Sequence, residues 1–176
     1  MKRTLLVLIA AAGLVGCETQ EGPPGPPPPP VAYGTPGTEA FREADFAWSA
    51  APGGNSIDGQ VNYRGGVSKY TCQGEAVILA PETPWSRARM RILYQSTSSA
   101  ALPKSDVEAR TTTPPPAFVR YAKRTKCDAT GHFAFNGLPD GAWYVITVAT
   151  PLSGGPQVAI MKRVETHGGV RRVVLQ

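Results

Sequence analysis

Two histidines, three cysteines and 13 carboxylates are the residues of this 176-residue chain with chemistry to offer. Their spacing argues against most of it. His132 opens an alternating apolar segment and His167 sits in a Gly-rich turn, so the two do not form a ligand pair along the chain. The cysteines have neither the C-x-x-C spacing of redox and zinc sites nor a histidine beside them. A zinc peptidase would need a His/Glu ligand set and a far longer catalytic domain. No G-x-S-x-G elbow exposes a serine nucleophile. Glu75 and Glu82 are near in sequence, but nothing distinguishes them from solvated surface carboxylates. Basic residues gather at Arg87, Arg89 and Arg91 and again at Arg110, Arg120, Lys123, Arg124 and Lys126. They read either as a solvated helix face and a protected strand edge, or as a patch for an anionic envelope polymer or lipid headgroups. Arginines at every second helical position cannot share one face, which favours the first account. These residues predict a protein that acts by contact, not an enzyme, with no cofactor and no metal.

Cys17 has the most specific surroundings. Met1-Lys2-Arg3 is a short basic start, and Leu5 to Val15 is an unbroken run of Leu, Val, Ile, Ala and Gly. A charged start, an apolar core and a small residue before the cut are the parts of a secretory signal. The run has about half the ~20 residues that a membrane-spanning helix needs. Leu14-Val15-Gly16-Cys17 resembles the lipobox of bacterial lipoproteins, in which the cysteine is acylated, commonly with palmitate, and becomes the first mature residue. The resemblance implies a signal peptide over 1–16 and a lipid anchor at Cys17. Glu18 follows where an Asp would resemble the inner-membrane retention signal, so the expected location is the outer membrane, facing the periplasm. The alternative is an ordinary secretory signal that contains a cysteine. With Cys17 assigned to lipid, Cys72 and Cys127 remain, and an oxidising compartment favours a disulfide between them over two free buried thiols. The mature chain keeps 16 Lys+Arg against 13 Asp+Glu, which calls for no nucleic-acid partner.

Residues 17–55 read as a flexible, disordered Pro-rich tether. Gly22 to Pro30 can form neither helix nor central strand, because proline lacks an amide donor and fixes φ. Such a run favours extended polyproline II at ~3.1 Å per residue. Two Gly-Pro-Pro triplets are too few for a collagen triple helix. Within Thr38 to Trp48, Phe41, Ala44 and Trp48 have helical spacing while Phe46 and Trp48 alternate as in a strand, and in either form the segment can dock on the domain.

From Ile57 the pattern turns to β. Ile57, Gly59, Val61 and Tyr63 alternate with polar neighbours, the period of a half-buried strand. Further strands are predicted over Tyr70 to Ala80, Phe118 to Cys127, His132 to Phe135, Ala142 to Thr150, Val158 to Val164 and Val170 to Leu175. Turn signals separate them at Asp128 to Gly131, Asn136-Gly137, Pro139 to Gly141 and His167 to Gly169. Seven short strands punctuated by Gly and Pro predict an all-β, seven-stranded sandwich of the immunoglobulin or transthyretin type over 56–176. One helix interrupts it. Thr83 is an N-cap candidate, Pro84 suits the first helical position, and Trp85, Ala88 and Ile92 share a stripe through Tyr94. Gln95 to Ala117 is Ser/Thr/Pro-rich and reads as a long mobile surface loop.

The stretch from Asp128 to Val145, Asp-Ala-Thr-Gly-His-Phe-Ala-Phe-Asn-Gly-Leu-Pro-Asp-Gly-Ala-Trp-Tyr-Val, resembles the D-x-x-G-x-F-x-F-x-x-L-P-x-G-x-Y-x-V hairpin of carboxypeptidase-regulatory-like domains. These belong to the transthyretin-like group of sandwiches. Ile57-Asp58-Gly59-Gln60-Val61 is similar to the group's opening strand, and Val77-Ile78-Leu79 to its second. The resemblance implies a fold and is nearly silent about function. Hydroxyisourate hydrolases of the same group carry a C-terminal Tyr-Arg-Gly-Ser and paired histidines, whereas this chain ends Arg172-Val173-Val174-Leu175-Gln176. The insertion over 83–117 departs from the simple pattern. The reading is therefore a lipid-anchored envelope lipoprotein, a non-catalytic binding or structural module for an envelope protein or glycan, with Trp85, Met90 and Tyr94 as the expected partner contacts. The alternative is a small envelope hydrolase that uses the insertion as a lid.

Overall fold

The computed structural model describes residues 39–176. The predicted signal peptide, Cys17 and the Pro-rich run lie outside the described residues. Among the described residues the fold is mostly β, with two sheets stacked in a sandwich-like arrangement and a few short helices.

Ten strands are described: β1 (Asn55–Val61), β2 (Arg64–Gly65), β3 (Ser68–Thr71), β4 (Ala76–Pro81), β5 (Ser99–Pro103), β6 (Lys123–Lys126), β7 (His132–Leu138), β8 (Gly141–Pro151), β9 (Val158–Thr166) and β10 (Val170–Leu175). The smaller sheet has the order β10–β1–β7, with β1 parallel to β10 and antiparallel to β7. In the larger sheet β8 is central: β4 and then β6 lie on one side, β9 and then β5 on the other, and the β2–β3 ribbon joins the end of β8. Two helices, α1 (Pro84–Tyr94) and α2 (Lys104–Ala109), arise from the insertion, and short 3-10 turns span Glu43–Ala50 and Pro116–Arg120.

The burial of β8 explains the layering. Trp143, Tyr144 and Val145 are all fully buried, which alternation on a half-exposed strand forbids. Trp143 and Val145 point into the sandwich core with Ile57, Leu79, Phe133 and Ile160. Tyr144 points the other way, into a second core with Met90, Leu93, Tyr94, Val107 and Met161. The runs Val77-Ile78-Leu79-Ala80 and Val158-Ala159-Ile160-Met161 are continuous for the same reason, since a sheet covered on both faces needs apolar residues at every position. The insertion is thus a third layer over the larger sheet.

Several expectations are corrected. The strand predicted over Tyr70 to Ala80 is two strands, β3 and β4, broken by a turn at Cys72–Glu75 where Glu75 N–H bonds Cys72 O at 2.8 Å. Phe118 is in a 3-10 turn, and only Lys123–Lys126 of its predicted strand is extended. The segment read as a mobile loop holds β5, which is laddered to β9 from Ser99↔Lys162 to Pro103↔Val158, and α2. The β7–β8 pair is no hairpin, because β7 bonds β1 in one sheet and β8 lies in the other. The chain crosses between sheets at Pro139-Asp140. Asn55 holds that corner: its Nδ2 donates to Leu138 O (3.1 Å) and Asp140 Oδ1 (2.8 Å), and its Oδ1 accepts from Gly169 N–H (2.8 Å). The end of the predicted tether is also folded. Phe46 is fully buried in the 3-10 turn, and Trp48 packs against Trp143 at 4.9 Å between ring centroids.

Candidate functional site

Cys72 and Cys127 form a disulfide with Cα atoms 5.6 Å apart. It joins the β3–β4 turn to the end of β6, and both residues belong to the sandwich core. Its place is structural.

Thr83 caps α1 as expected. Its hydroxyl accepts from Ser86 N–H at 3.1 Å, and Ser86 Oγ accepts from Thr83 N–H at 2.8 Å, a reciprocal capping box. Gln95 ends the helix in the left-handed conformation. The face that α1 buries is not the Trp85–Ala88–Ile92 stripe. Ser86, Met90, Leu93 and Tyr94 are the inward positions with Ala88, and Ile92 is 45% exposed. Met90 and Tyr94, two of the expected partner contacts, are therefore core residues beneath the helix. The reason is that the outer face of the larger sheet offers α1 the apolar ground of Tyr144 and Met161.

Trp85 stays half-buried at the surface. Its ring meets Phe41 edge-on at 5.3 Å and Phe118 at 5.2 Å, and Phe46 lies 6.1 Å away. Arg89 lies over it at 5.5 Å. This aromatic cluster clasps the segment before β1 onto α1 and the 3-10 turn at Pro116–Arg120. An ion pair of Arg120 with Glu43 (2.6 Å) backs it at the rim.

Around Trp85 lies an open depression of about 340 Å³, lined with Glu39, Arg89, Ile92, Leu93, Arg110 and Thr112. Arg89 donates to Thr112 Oγ1 (3.0 Å) and Thr112 O (2.6 Å), and Arg110 donates to Leu93 O (3.0 Å). The depression thus offers an indole edge, two guanidinium groups, a hydroxyl and a carboxylate to one ligand. Beside it a second depression of about 320 Å³ is lined by Glu39, Glu82, Thr83, Arg87 and Arg91. The three helix arginines diverge as their spacing requires: Arg87 pairs with Glu82 at 2.9 Å, Arg89 turns to Thr112, and Arg91 is exposed.

Glu82 carries the strongest local electrostatics. Its carboxylate, only 5% exposed, accepts from Arg163 Nε (2.6 Å), Arg87 Nε (2.9 Å) and Tyr144 OH (3.0 Å). Burial, and then the Glu82 carboxylate, push the Tyr144 hydroxyl up to about 12. Glu75 stands at the opposite end of β4, about 23 Å away at ~3.3 Å per residue, so the two carboxylates cannot act as a pair.

The histidines are likewise apart. His132 Nε2 meets Asp58 at 2.6 Å on the smaller sheet, and His167 Nδ1 meets Asp140 at 3.0 Å in the β9–β10 turn. The Thr130 hydroxyl, and then the His132 amide, hold Asp128 below the usual carboxylate range; Asn55, and then His167, do the same for Asp140. No group of three or more His, Cys, Asp or Glu side chains among the described residues is arranged to hold a metal. None of the described helices is long and apolar enough to cross a membrane.

Arg110 stands out in the sequence only as one of the clustered basic residues, and Glu39 and Thr112 have no signal there; the fold brings them to the depression from two segments. Asn55 lies just before the alternation that marks β1, so its role at the corner has no signal of its own.

No family model matches the chain, and no curated protein matches it. Among solved structures, a crystal structure from Pseudomonas aeruginosa described as a "putative carbohydrate binding protein" is similar to it, with a TM-score of 0.61 and 19% identity over 78% of this chain and 97% of that one. At that identity the likeness is one of fold, and it places this chain with that sandwich without assigning it to a family.

Proposed function

We propose that this chain is a lipid-anchored lipoprotein of the cell envelope whose sandwich binds glycan without catalysis, through the depression around Trp85. The observation that carries the reading is the lining itself. Indole edge, guanidinium donors, a hydroxyl and the Glu39 carboxylate converge on about 340 Å³ of open surface, and a polyol needs donors, acceptors and an apolar wall together. The fold likeness to a protein described as carbohydrate-binding supports it. So does the position on an insertion that a rigid sheet holds in place, because binding residues concentrate on such segments. The insertion is a poor lid, since β5 would have to leave its ladder with β9 to open.

The anchor rests on Leu14-Val15-Gly16-Cys17 and the apolar run before it. Acylation of Cys17, sorting to the outer membrane and a periplasmic orientation follow from that resemblance and from Glu18. Labelling with an alkyne fatty acid tests the anchor: wild type takes up label and Cys17→Ser does not, and equal labelling of the two would refute it. For the glycan, the full chain is presented to an array of envelope polysaccharides. Saturable binding that Glu39→Gln and Thr112→Ala weaken, with the glycan recovered intact, is the expected result. Retention unaffected by both substitutions would remove the depression from the account.

A further inference from the structure

The helical layer encloses a further space, distinct in chemistry from the depression around Trp85. Between α1, α2 and the outer face of the larger sheet lies a cavity of about 320 Å³. Its wall is apolar, formed by Met90, Leu93, Val107, Phe118 and Ile146, with Tyr94 beside them. That volume falls at the lower end of the ~300–1,000 Å³ range of small-molecule sites, which are mostly apolar with a few placed polar groups.

The polar groups here have one sign. Arg89 and Arg124 line the cavity and no carboxylate does. Neither arginine makes an ion pair among the described residues. Burial alone holds the Arg89 guanidinium below its ordinary value, so this cation is partly desolvated without a counter-anion. Thr112 supplies it with only neutral oxygens. Tyr94 adds a hydroxyl that burial keeps protonated up to about 12 and that has no acceptor among the described residues. A sugar fits this wall badly, because each hydroxyl buried without a partner loses its hydrogen bonds to water and gains none in return. A neutral hydrocarbon would leave Arg89 uncompensated.

We propose that this cavity binds a small amphipathic carboxylate, a medium-chain fatty acid in size, with its hydrocarbon body against Met90, Leu93 and Ile146 and its carboxylate at Arg89 and Arg124. The site is separate from glycan binding although Arg89 borders both, so the test uses residues that touch the cavity alone. Decanoate is titrated calorimetrically into the full chain without detergent, below the concentration at which it forms micelles, with decanol and acetate as controls. Decanoate binds saturably and decanol at least tenfold more weakly, whereas acetate does not bind. Arg124→Gln weakens decanoate by several-fold, Arg124→Lys restores most of it, and Ala122→Phe, which fills the mouth, abolishes it. Circular dichroism melts show which variants are folded, and glycan retention by Arg124→Gln stays at the wild-type level. Equal affinity for decanoate and decanol, no saturable decanoate binding, or a folded Ala122→Phe that binds like wild type would each overturn the assignment.

Discussion

Phe46 lies within residues 17–55, predicted as a Pro-rich tether, yet it is fully buried, and replacing it tests whether its segment belongs to the fold. Its ring has four aromatic neighbours: Phe41 at 5.0 Å, Tyr121 at 5.4 Å, Phe118 at 5.9 Å and Trp85 at 6.1 Å. Phe46→Ala removes the ring from a site walled by three segments, around Phe41, Trp85 and Phe118–Tyr121, which limits collapse into the space left behind. Large-to-small changes of this kind cost about 3–5 kcal/mol. Aromatic pairing adds about 0.5–1.5 kcal/mol per pair, not additively, so the upper half of that range is the working figure. Some of the loss is local, because the 3-10 turn can detach while the sandwich remains. Urea unfolding followed by tryptophan fluorescence reads both outcomes, since Trp48 and Trp85 report the segment and Trp143 reports the core. A single transition shifted by about 4 kcal/mol or more, as expected from that figure, confirms the segment as part of one cooperative unit. A loss below about 1 kcal/mol would refute the reasoning and return the segment to the tether.

Cys127→Ser opens a loop with a sequence separation of 55. The chain-entropy model sets a ceiling of about 4 kcal/mol for that loop, and a thermal melt under oxidising conditions should fall by up to roughly 10–15 °C. An unchanged melt would show that the bridge contributes nothing. Glu82→Gln keeps the shape but strips a nearly buried charge from Arg163 and Tyr144, and urea unfolding should show a loss of about 1–3 kcal/mol. The figure is held down because the side chains of Arg87 and Arg163 are 53% and 33% exposed. Asp128 and Asp140 are both depressed in the fold, so their contribution is present above the unfolded value of about 3.9 and is lost as pH falls through the lower folded values. Melts through that acid range should be flatter for Asp128→Asn than for wild type, and equal slopes would contradict the assignment.

Much of the sheet framework was legible because local chemistry enforces it. Val170 to Leu175 is a strand as read, since His167-Gly168-Gly169 supplies the turn and the alternation sets its faces. Thr83 and Pro84 announce the start of α1 in any context. The phase of that helix was not legible, because Trp85–Ala88–Ile92 and Met90–Leu93–Tyr94 are both apolar and only the sheet beneath decides which is buried. Ser99 to Pro103 has no strand signature of its own and becomes β5 through its ladder with β9. The crossing at Pro139-Asp140 was hidden for a similar reason: a tight turn between two strands does not say whether they pair. The depression around Trp85 was half visible. Trp85 and Arg89 stood out, but Glu39, Arg110 and Thr112 join them only through the aromatic clasp at Phe41 and Phe118.

The central claim is that the depression around Trp85 binds glycan and leaves it intact. The most direct measurement is saturation-transfer NMR of the full chain with envelope polysaccharide fragments, run on wild type and on Thr112→Ala. The account predicts saturation transfer to sugar C–H protons in wild type, a weaker effect in Thr112→Ala, and an unchanged fragment after prolonged incubation. Absence of transfer to any fragment from a folded wild-type chain, or cleavage of the fragment, would contradict it.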